Sequence, residues 1–167
     1  MAKVLVTMMG RSTWGLFNSM WATIKIHRYV PSKVYLLTAG CDRNDAEVAG
    51  KMLRILLAEH DPRAEIKLEV LDENSIKDIA SRVRAILAEE KRAGNELAID
   101  VTPGKKAMVL GGMIAGWSNP QFDHAFYLNI DSLRNAGRPF MEIPLSVQRS
   151  HDIIKESAEA NVQSREG

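Results

Sequence analysis

The chain has 167 residues, of which 46% are hydrophobic and 26% are charged, and this composition suits one domain with a buried core. The formal net charge is +1, so any affinity for a polyanion has to come from a local cluster of cations, and duplex nucleic acid is not an expected partner. The single cysteine, Cys41, excludes an internal disulfide and a cysteine-rich zinc site.

No targeting or cofactor signal stands out in the chain. The apolar run at the N-terminus is too short for a signal peptide, and no segment reaches the ~18 apolar residues of a membrane span. We therefore expect a cytoplasmic protein. The four histidines are scattered without metal-ligand spacing, and no strand is followed by a Gly-x-Gly-x-x-Gly motif, so neither a metal nor another cofactor is expected.

Strands and helices alternate along the chain. Apolar, β-branched runs predict six strands: Lys3–Met9, Lys33–Thr38, Glu65–Leu71, Leu97–Val101, His124–Ile130 and Pro139–Ile143. Hydrophobic residues at helical spacing predict five helices: Thr13–His27, Asp42–His60, a helix from Asn74 or Ser75 to Gly94, Ala107–Trp117, and His151–Val162. On the first of these helices, we expect the aromatic stripe to be core: Trp14, Phe17, Trp21 and Ile24.

This order predicts an α/β fold of three layers. Its centre is a mainly parallel six-stranded sheet with helices on both faces, ending in a β-hairpin that turns through Arg134–Gly137. A single domain is expected, with residues 1–147 as its body and residues 148–167 as a C-terminal helix and tail of the same unit.

Parallel sheets bind ligands beyond the carboxyl ends of their strands, where the strand order reverses. Three predicted loops lie at that edge: Met9–Trp14, Thr38–Asn44 and Thr102–Lys106. We expect the first and the third to flank the reversal point.

The third loop has the composition of an anion site. Asp100 ends a buried strand, Thr102 and Gly104 form the turn, and Lys105 and Lys106 open a helix whose N-terminus attracts negative charge. The Gly-x-x-x-x-Gly-Lys-Ser/Thr spacing of a P-loop is absent. Asp100 either contacts the ligand or hydrogen-bonds the loop, and the sequence leaves both open.

The first loop supplies Gly10, Arg11, Ser12 and Thr13 as candidate ligand contacts. Ser12 is either an N-cap alone or also a contact for a phosphate or a ribose hydroxyl, and Arg11 is either a phosphate ligand or a surface residue.

The second loop adds Asp42 and Arg43 as candidate ligand contacts. Its Cys41 has no obvious histidine partner, which argues against a thiol nucleophile.

Two segments resemble the CARF domain, the CRISPR-associated Rossmann-fold sensor of cyclic oligoadenylates. One is Thr7–Ser12, at the end of the first strand. The other is Asp100–Met108, which is similar to the family pattern Asp-x-Thr-Gly-Gly-Thr-Lys-x-Met. The positions that match are Asp100, Thr102, Gly104, Lys106 and Met108. Pro103 stands where the pattern has glycine and removes a backbone donor, and Lys105 replaces a threonine.

The resemblance implies a Rossmann-like fold, cyclic tetra-adenylate as ligand, and a homodimer whose two-fold axis passes through the ligand. The glycine-rich helix after Lys106 either packs near that axis or packs closely on the sheet. Because little chain follows the last predicted strand, the protein is most similar to standalone ring nucleases, which degrade the signal and switch off type III CRISPR antiviral defence.

In such an enzyme the ribose 2′-hydroxyl attacks the adjacent phosphate without a metal ion. The resemblance implies that Lys106, or else Lys105, stabilises the phosphate charge, that Ser12 orients the ribose or the phosphate, and that backbone N–H groups at Gly104 and Lys105 donate to it. Two alternatives stay open. One is a non-catalytic module that senses or sequesters the ring for a separate effector, and the other is a Rossmann-like protein for another nucleotide or a phosphosugar.

Overall fold

The computed structural model describes residues 1–10, 12–39, 43–72, 74–117, 121–135 and 137–163. Its strands are β1 Lys3–Met8, β2 Lys33–Ala39, β3 Glu65–Leu71, β4 Glu96–Asp100, β5 His124–Ile130 and β6 Gln148–Asp152. Its α-helices are α1 Thr13–Lys25, α2 Arg43–Ala58, α3 Ile76–Arg92, α4 Lys106–Ala115 and α5 Ile153–Gln163. Across the described ranges, no helix is both long and apolar enough to cross a membrane.

The strands form one sheet in the order β3-β2-β1-β4-β5-β6. All neighbouring pairs are parallel except β5 and β6, which are antiparallel. The predicted fold class, a mainly parallel α/β sheet with an antiparallel end and a C-terminal helix, is therefore confirmed. From β1 the chain builds outward to β2 and β3, then crosses back to place β4 on the other side of β1. The strand order thus reverses between β1 and β4, as predicted.

Two apolar layers hold the helices on the sheet. Alternate residues of β1 point to opposite faces, so Val6 packs with α3 and α4 while Leu5 packs with α1 and α2. The central strands are apolar on both faces because both faces are covered by helices. This sandwich fixes the carboxyl ends of β1 and β4 side by side.

The prediction for the last strand is wrong. Pro139 precedes a short 3₁₀ turn at Phe140–Glu142, and the antiparallel edge strand is the polar segment Gln148–Asp152. Pro139 has no N–H to donate to a sheet, and the buried Phe140 ring packs beside Ala22 and Leu128. The predicted tight hairpin is consequently a link over residues 131–147, and the C-terminal helix begins at Ile153.

The aromatic stripe of α1 is only partly core. Ile24 is buried, but the rings of Trp14, Phe17 and Trp21 are half-buried and line a groove beside Phe140. Phe17 contacts Trp14 at 5.8 Å and Trp21 at 5.7 Å between ring centroids, so the three rings shield one another at the rim of the layer.

Instead, the face of α1 that packs on the sheet mixes apolar and small polar side chains. Its buried members are Leu16, Asn18, Ser19, Met20, Ala22, Thr23 and Ile24. Phe17 and Trp21 pack against the edge of this core, so the expectation that the aromatic rings are core holds only in part.

The glycines of α4 are explained by packing inside the chain. A Cβ on Gly111 would lie 2.8 Å from Cγ2 of Ile79 on α3, and one on Gly112 would lie 2.9 Å from Cδ1 of Ile99 on β4. Both distances are too short for carbon atoms, so glycine lets α4 approach α3 and the sheet closely. Of the two explanations for these small residues left open by the sequence, the structure favours packing on the sheet.

Candidate functional site

A pocket of about 520 Å³ opens at the carboxyl edge of the sheet, where β1 and β4 lie side by side. The residues that line it are Gly10, Ser12, Gly15, Thr102, Pro103, Gly104, Lys105 and Lys106. All of them except Gly15, which lies in the first turn of α1, come from two of the three loops singled out in the sequence. The structure therefore brings together most of the predicted site residues. That these residues contact a ligand remains a prediction.

Two helix N-termini border this pocket. The first, α1, is capped by Ser12, whose Oγ accepts a hydrogen bond of 3.1 Å from the N–H of Gly15. The second, α4, has Lys105 at its N-cap position and no side-chain cap hydrogen bond. Neither helix has an acidic residue in its first turn. The positive ends of two helix dipoles thus face the same region, and such ends favour anions.

The described residues that line the pocket carry charge of one sign. Among the described residues that line it, Lys105 and Lys106 are cationic and none carries a carboxylate. Lysines in the first turn of a helix oppose its dipole, so they destabilise α4 unless an anion binds there. The Lys106 side chain is exposed to solvent. This arrangement suits a phosphate or another anion.

Two glycines allow the loops to meet at the floor of the pocket. Gly104 has a φ of +105°, a conformation that L side chains rarely adopt, and a Cβ there would lie 2.9 Å from Cβ of Met8. Gly10 faces the backbone of Gly104 directly, with no room for a side chain between them. The loop after β1 and the loop after β4 form the two walls of the pocket. Without these glycines the two loops would be pushed apart.

Asp100 lies beneath the pocket and does not line it. Its side chain is fully buried, and its Oδ1 accepts a hydrogen bond of 3.0 Å from the N–H of Thr102. Burial raises the pKa of Asp100, whereas hydrogen bonds from Ser19, Thr102 and Thr7 act in the opposite direction. Of the two readings from the sequence, hydrogen bonding to the loop fits this position better than contact with a ligand.

The remaining predicted site residues are not among the described residues that line the pocket. Thr13 is the first residue of α1 and is not among the lining residues. Arg11 and Asp42 lie outside the described residues, and Arg43 is described only as the first residue of α2. Within the described ranges, no group of three His, Cys, Asp or Glu side chains is placed to hold a metal ion.

Sequence reasoning missed Gly15, which lines the pocket, and Ser19, which contacts Asp100. Gly15 has a recognisable signal, since a glycine three residues after an N-cap leaves the first turn bare. Ser19 has a weaker signal, a small polar residue four positions beyond Gly15 on the same face of α1.

No family model matches the chain. Solved structures are similar to it. They include a type III CRISPR defence DNA nuclease activated by cyclic oligoadenylate, with 18% identity, 78% of this chain covered and a TM-score of 0.55. A second is Can2 from Sulfobacillus thermosulfidooxidans in complex with cyclic tetra-adenylate, with 18% identity, 75% of this chain covered and a TM-score of 0.55.

A third is Csm6 of Enterococcus italicus bound to cyclic hexa-2′-fluoro-hexa-dAMP, with 19% identity, 76% of this chain covered and a TM-score of 0.60. The chain matches only 19%, 31% and 33% of the lengths of these three proteins, respectively. Identities this low establish the fold alone, and that fold agrees with the resemblance found in the sequence. The chain thus has the Rossmann-like fold of CARF domains.

Proposed function

We propose that the pocket between β1 and β4 binds cyclic tetra-adenylate and that the protein is a ring nuclease. The observation that carries the proposal is the pairing of two helix N-termini with Lys105 and Lys106 around one pocket, without a carboxylate among the described lining residues. Similar folds in proteins described with cyclic oligoadenylates add support. The activity would switch off type III CRISPR signalling in the cytoplasm.

The chemistry needs a nucleophile, and the substrate supplies it. The 2′-oxygen of a ribose bonds to the adjacent phosphorus, and the bond from phosphorus to the 5′-oxygen breaks. The products carry a 2′,3′-cyclic phosphate at one end and a 5′-hydroxyl at the other. The proton lost by the 2′-hydroxyl passes to water, and the leaving 5′-oxygen takes a proton from water. No metal ion is required for this balance.

The protein contributes position and charge. Lys106 is proposed to stabilise the negative charge that develops on the phosphorane, together with N–H groups at Gly104 and Lys105. Ser12 accepts from Gly15 through its oxygen, which leaves its own O–H able to donate to a phosphate or ribose oxygen. The lining residues in the described part of the chain include no imidazole or carboxylate, so turnover is expected to be slow.

The proposal includes a homodimer with the ring on its two-fold axis. The outer face of α4 and the turn that follows it carry three exposed apolar side chains, here called the α4 stripe: Leu110, Ile114 and Trp117 are 54%, 48% and 79% exposed. Lys106 lies on the same face, one turn before Leu110. A second copy packed on the α4 stripe would therefore stand next to the phosphate site, and a ring with two-fold symmetry would contact both copies.

The second candidate function is a non-catalytic module that senses or sequesters the ring. The observation in its favour is the lack of a general base among the described lining residues. Both functions need the same pocket, and they differ in whether the ring is opened.

The test is incubation of the protein with cyclic tetra-adenylate and EDTA, followed by chromatographic separation of the products. Linear products that end in a 2′,3′-cyclic phosphate support the ring nuclease. Tight binding by calorimetry with an intact ring, even with protein in excess, overturns cleavage and supports the sensor. Absence of binding to cyclic tetra-adenylate and to cyclic oligoadenylates of other ring sizes overturns both and favours another nucleotide or phosphosugar.

A further inference from the structure

The buried carboxylate of Asp100 receives hydrogen bonds from three separate parts of the chain. Ser19 of α1 donates through Oγ at 2.5 Å and Thr7 of β1 donates through Oγ1 at 3.3 Å, both to Oδ2. The N–H of Thr102, in the loop after β4, donates to Oδ1 at 3.0 Å. We name these four residues the Asp100 network.

Each member of the Asp100 network is joined to a wall of the pocket. β1 leads from Thr7 to Gly10, α1 runs back from Ser19 to Ser12, and Thr102 begins the loop that ends at Lys106. One side chain therefore joins both walls from below.

Thr102 is held on two sides. Besides its N–H bond to Asp100, its Oγ1 accepts a hydrogen bond of 2.8 Å from the N–H of Leu128 on β5. The Thr102 side chain is thereby turned toward β5. Its part in the site is to fix the start of the loop.

Apolar side chains alone would hold α1 on the sheet at a lower cost in free energy. Removing a carboxylate from water is expensive, and only hydrogen bonds to the charged group offset the cost. A fully buried carboxylate directly under the pocket therefore indicates that the two loops above it have to be held at a fixed distance from each other.

Resting on the function proposed above, we propose that Asp100 and Ser19 are positioning residues that set the distance between the N-terminus of α1 and the loop before α4. The pair acts through Ser12, Gly104 and Lys106 and does not touch the ligand. Loss of the link leaves the fold in place and loosens both walls of the pocket.

The Ser19 hydroxyl offers a specific way to break this link. Its single proton has two acceptors within reach, Oδ2 of Asp100 at 2.5 Å and the carbonyl oxygen of Leu16 at 3.0 Å. Ser19→Ala removes the contact to Asp100 while leaving the small side-chain volume almost unchanged. Ser19→Thr keeps the hydroxyl and is the conservative rescue. Thr23→Ala is the matched control, because Thr23 is also buried on α1, one turn further from the pocket.

The first arm of the experiment is amide hydrogen exchange on the full chain without ligand. Ser19→Ala is expected to speed exchange about 10-fold in both residues 12–16 and residues 102–108, as expected for loss of one hydrogen bond to a charged group. Ser19→Thr should restore protection, and Thr23→Ala should leave both segments as in the wild type. Unchanged exchange in Ser19→Ala, or the same pattern in Thr23→Ala, overturns the inference.

The second arm measures binding and single-turnover cleavage of cyclic tetra-adenylate. Ser19→Ala is expected to weaken binding about 10-fold and to slow cleavage of the bound ring, with Ser19→Thr close to the wild type. Wild-type binding and cleavage in Ser19→Ala overturn the positioning role. If the wild-type protein does not bind the ring, the proposed function has failed, and the exchange arm alone still decides whether the Asp100 network holds the two walls.

Discussion

The backbone nitrogen of Gly104 lies 2.7 Å from the position that a Cβ on Gly10 would occupy. The two loops that form the pocket are therefore in direct backbone contact. Gly10→Ala is expected to lower the free energy of unfolding by about 1–3 kcal/mol, because a backbone atom has to move to admit the methyl group.

Gly15→Ala is the matched control for this prediction. A Cβ on Gly15 would lie 3.6 Å from Cβ of Ser12, which is an ordinary contact. The Gly15→Ala variant should therefore be as stable as the wild type or slightly more stable. Denaturant unfolding of both variants measures the difference. Equal stabilities for Gly10→Ala and Gly15→Ala would contradict the close contact between the loops.

Lys106 is expected to carry most of the charge stabilisation in cleavage. Lys106→Ala should reduce the single-turnover rate by about 10²- to 10³-fold, the cost of removing one preorganised donor from a developing oxyanion. Lys51→Ala removes an equal charge from the exposed surface of α2 and should cleave at the wild-type rate. Full activity in Lys106→Ala would transfer the role to Lys105 or remove the lysines from the mechanism.

The α4 stripe is expected to form the dimer contact. Ile114→Glu places a charge in the middle of that face and should convert a dimer to a monomer in light scattering. Ile55→Glu changes an even more exposed residue on α2 and should leave the mass unchanged. A wild-type protein with the mass of one chain, or an unaffected mass in Ile114→Glu, would refute this interface.

Acid should weaken the fold through Glu90. Burial opposes ionisation of Glu90, but hydrogen bonds from Lys33 at 2.8 Å, Tyr35 at 2.7 Å and Asn95 at 2.7 Å outweigh it and hold the pKa of Glu90 below its ordinary value. Because the folded pKa lies below the unfolded one, the stabilisation is complete above about pH 4.3 and is lost as pH falls through the folded value.

Glu90→Gln tests this dependence on pH. The variant should be less stable than the wild type at pH 7, and the difference should shrink as the pH is lowered toward 3, measured by urea unfolding at each pH. Glu89→Gln changes an exposed carboxylate on the same helix and serves as control. A stability difference that stays constant with pH would show that the charge of Glu90 does not stabilise the fold.

The central elements could be predicted because their burial leaves a clear pattern. β1, β2 and β4 are covered on both faces, so they read as unbroken apolar runs. The helix-spaced apolar residues of α3 predict its buried face equally well. The alternation of strands and helices then predicts a mainly parallel sheet, and the reversal of strand order between β1 and β4 is seen in the structure.

The edge strand β6 could not be predicted in the same way. Its side chains are polar, and those facing α1 and β5 make hydrogen bonds instead of apolar contacts: Ser150 pairs with His27 at 2.8 Å and Asp152 pairs with His124 at 2.5 Å. No hydrophobic period marks such a strand. The apolar segment after Pro139 gives the stronger signal and is a turn.

The residues of the candidate site also divide into those with a signal in the sequence and those without one. The lysines and glycines of the loop after β4 are visible in the sequence because they interrupt an apolar pattern with a charge or a turn. Thr7 and Ser19 are not visible in the sequence. A hydroxyl residue inside a strand or helix gives the same sequence pattern whether it contacts a carboxylate or an apolar side chain. Only the three-dimensional packing shows that both face Asp100.

The uncapped N-terminus of α4 creates an opposition between thermal stability and ligand binding. An aspartate at position 105 would supply the missing cap and favour the helix by about 1 kcal/mol, yet it would place a negative charge where the proposed phosphate binds. Selection for a more heat-resistant protein, in the laboratory or in nature, would therefore find an easy gain at this position and lose the ligand with it.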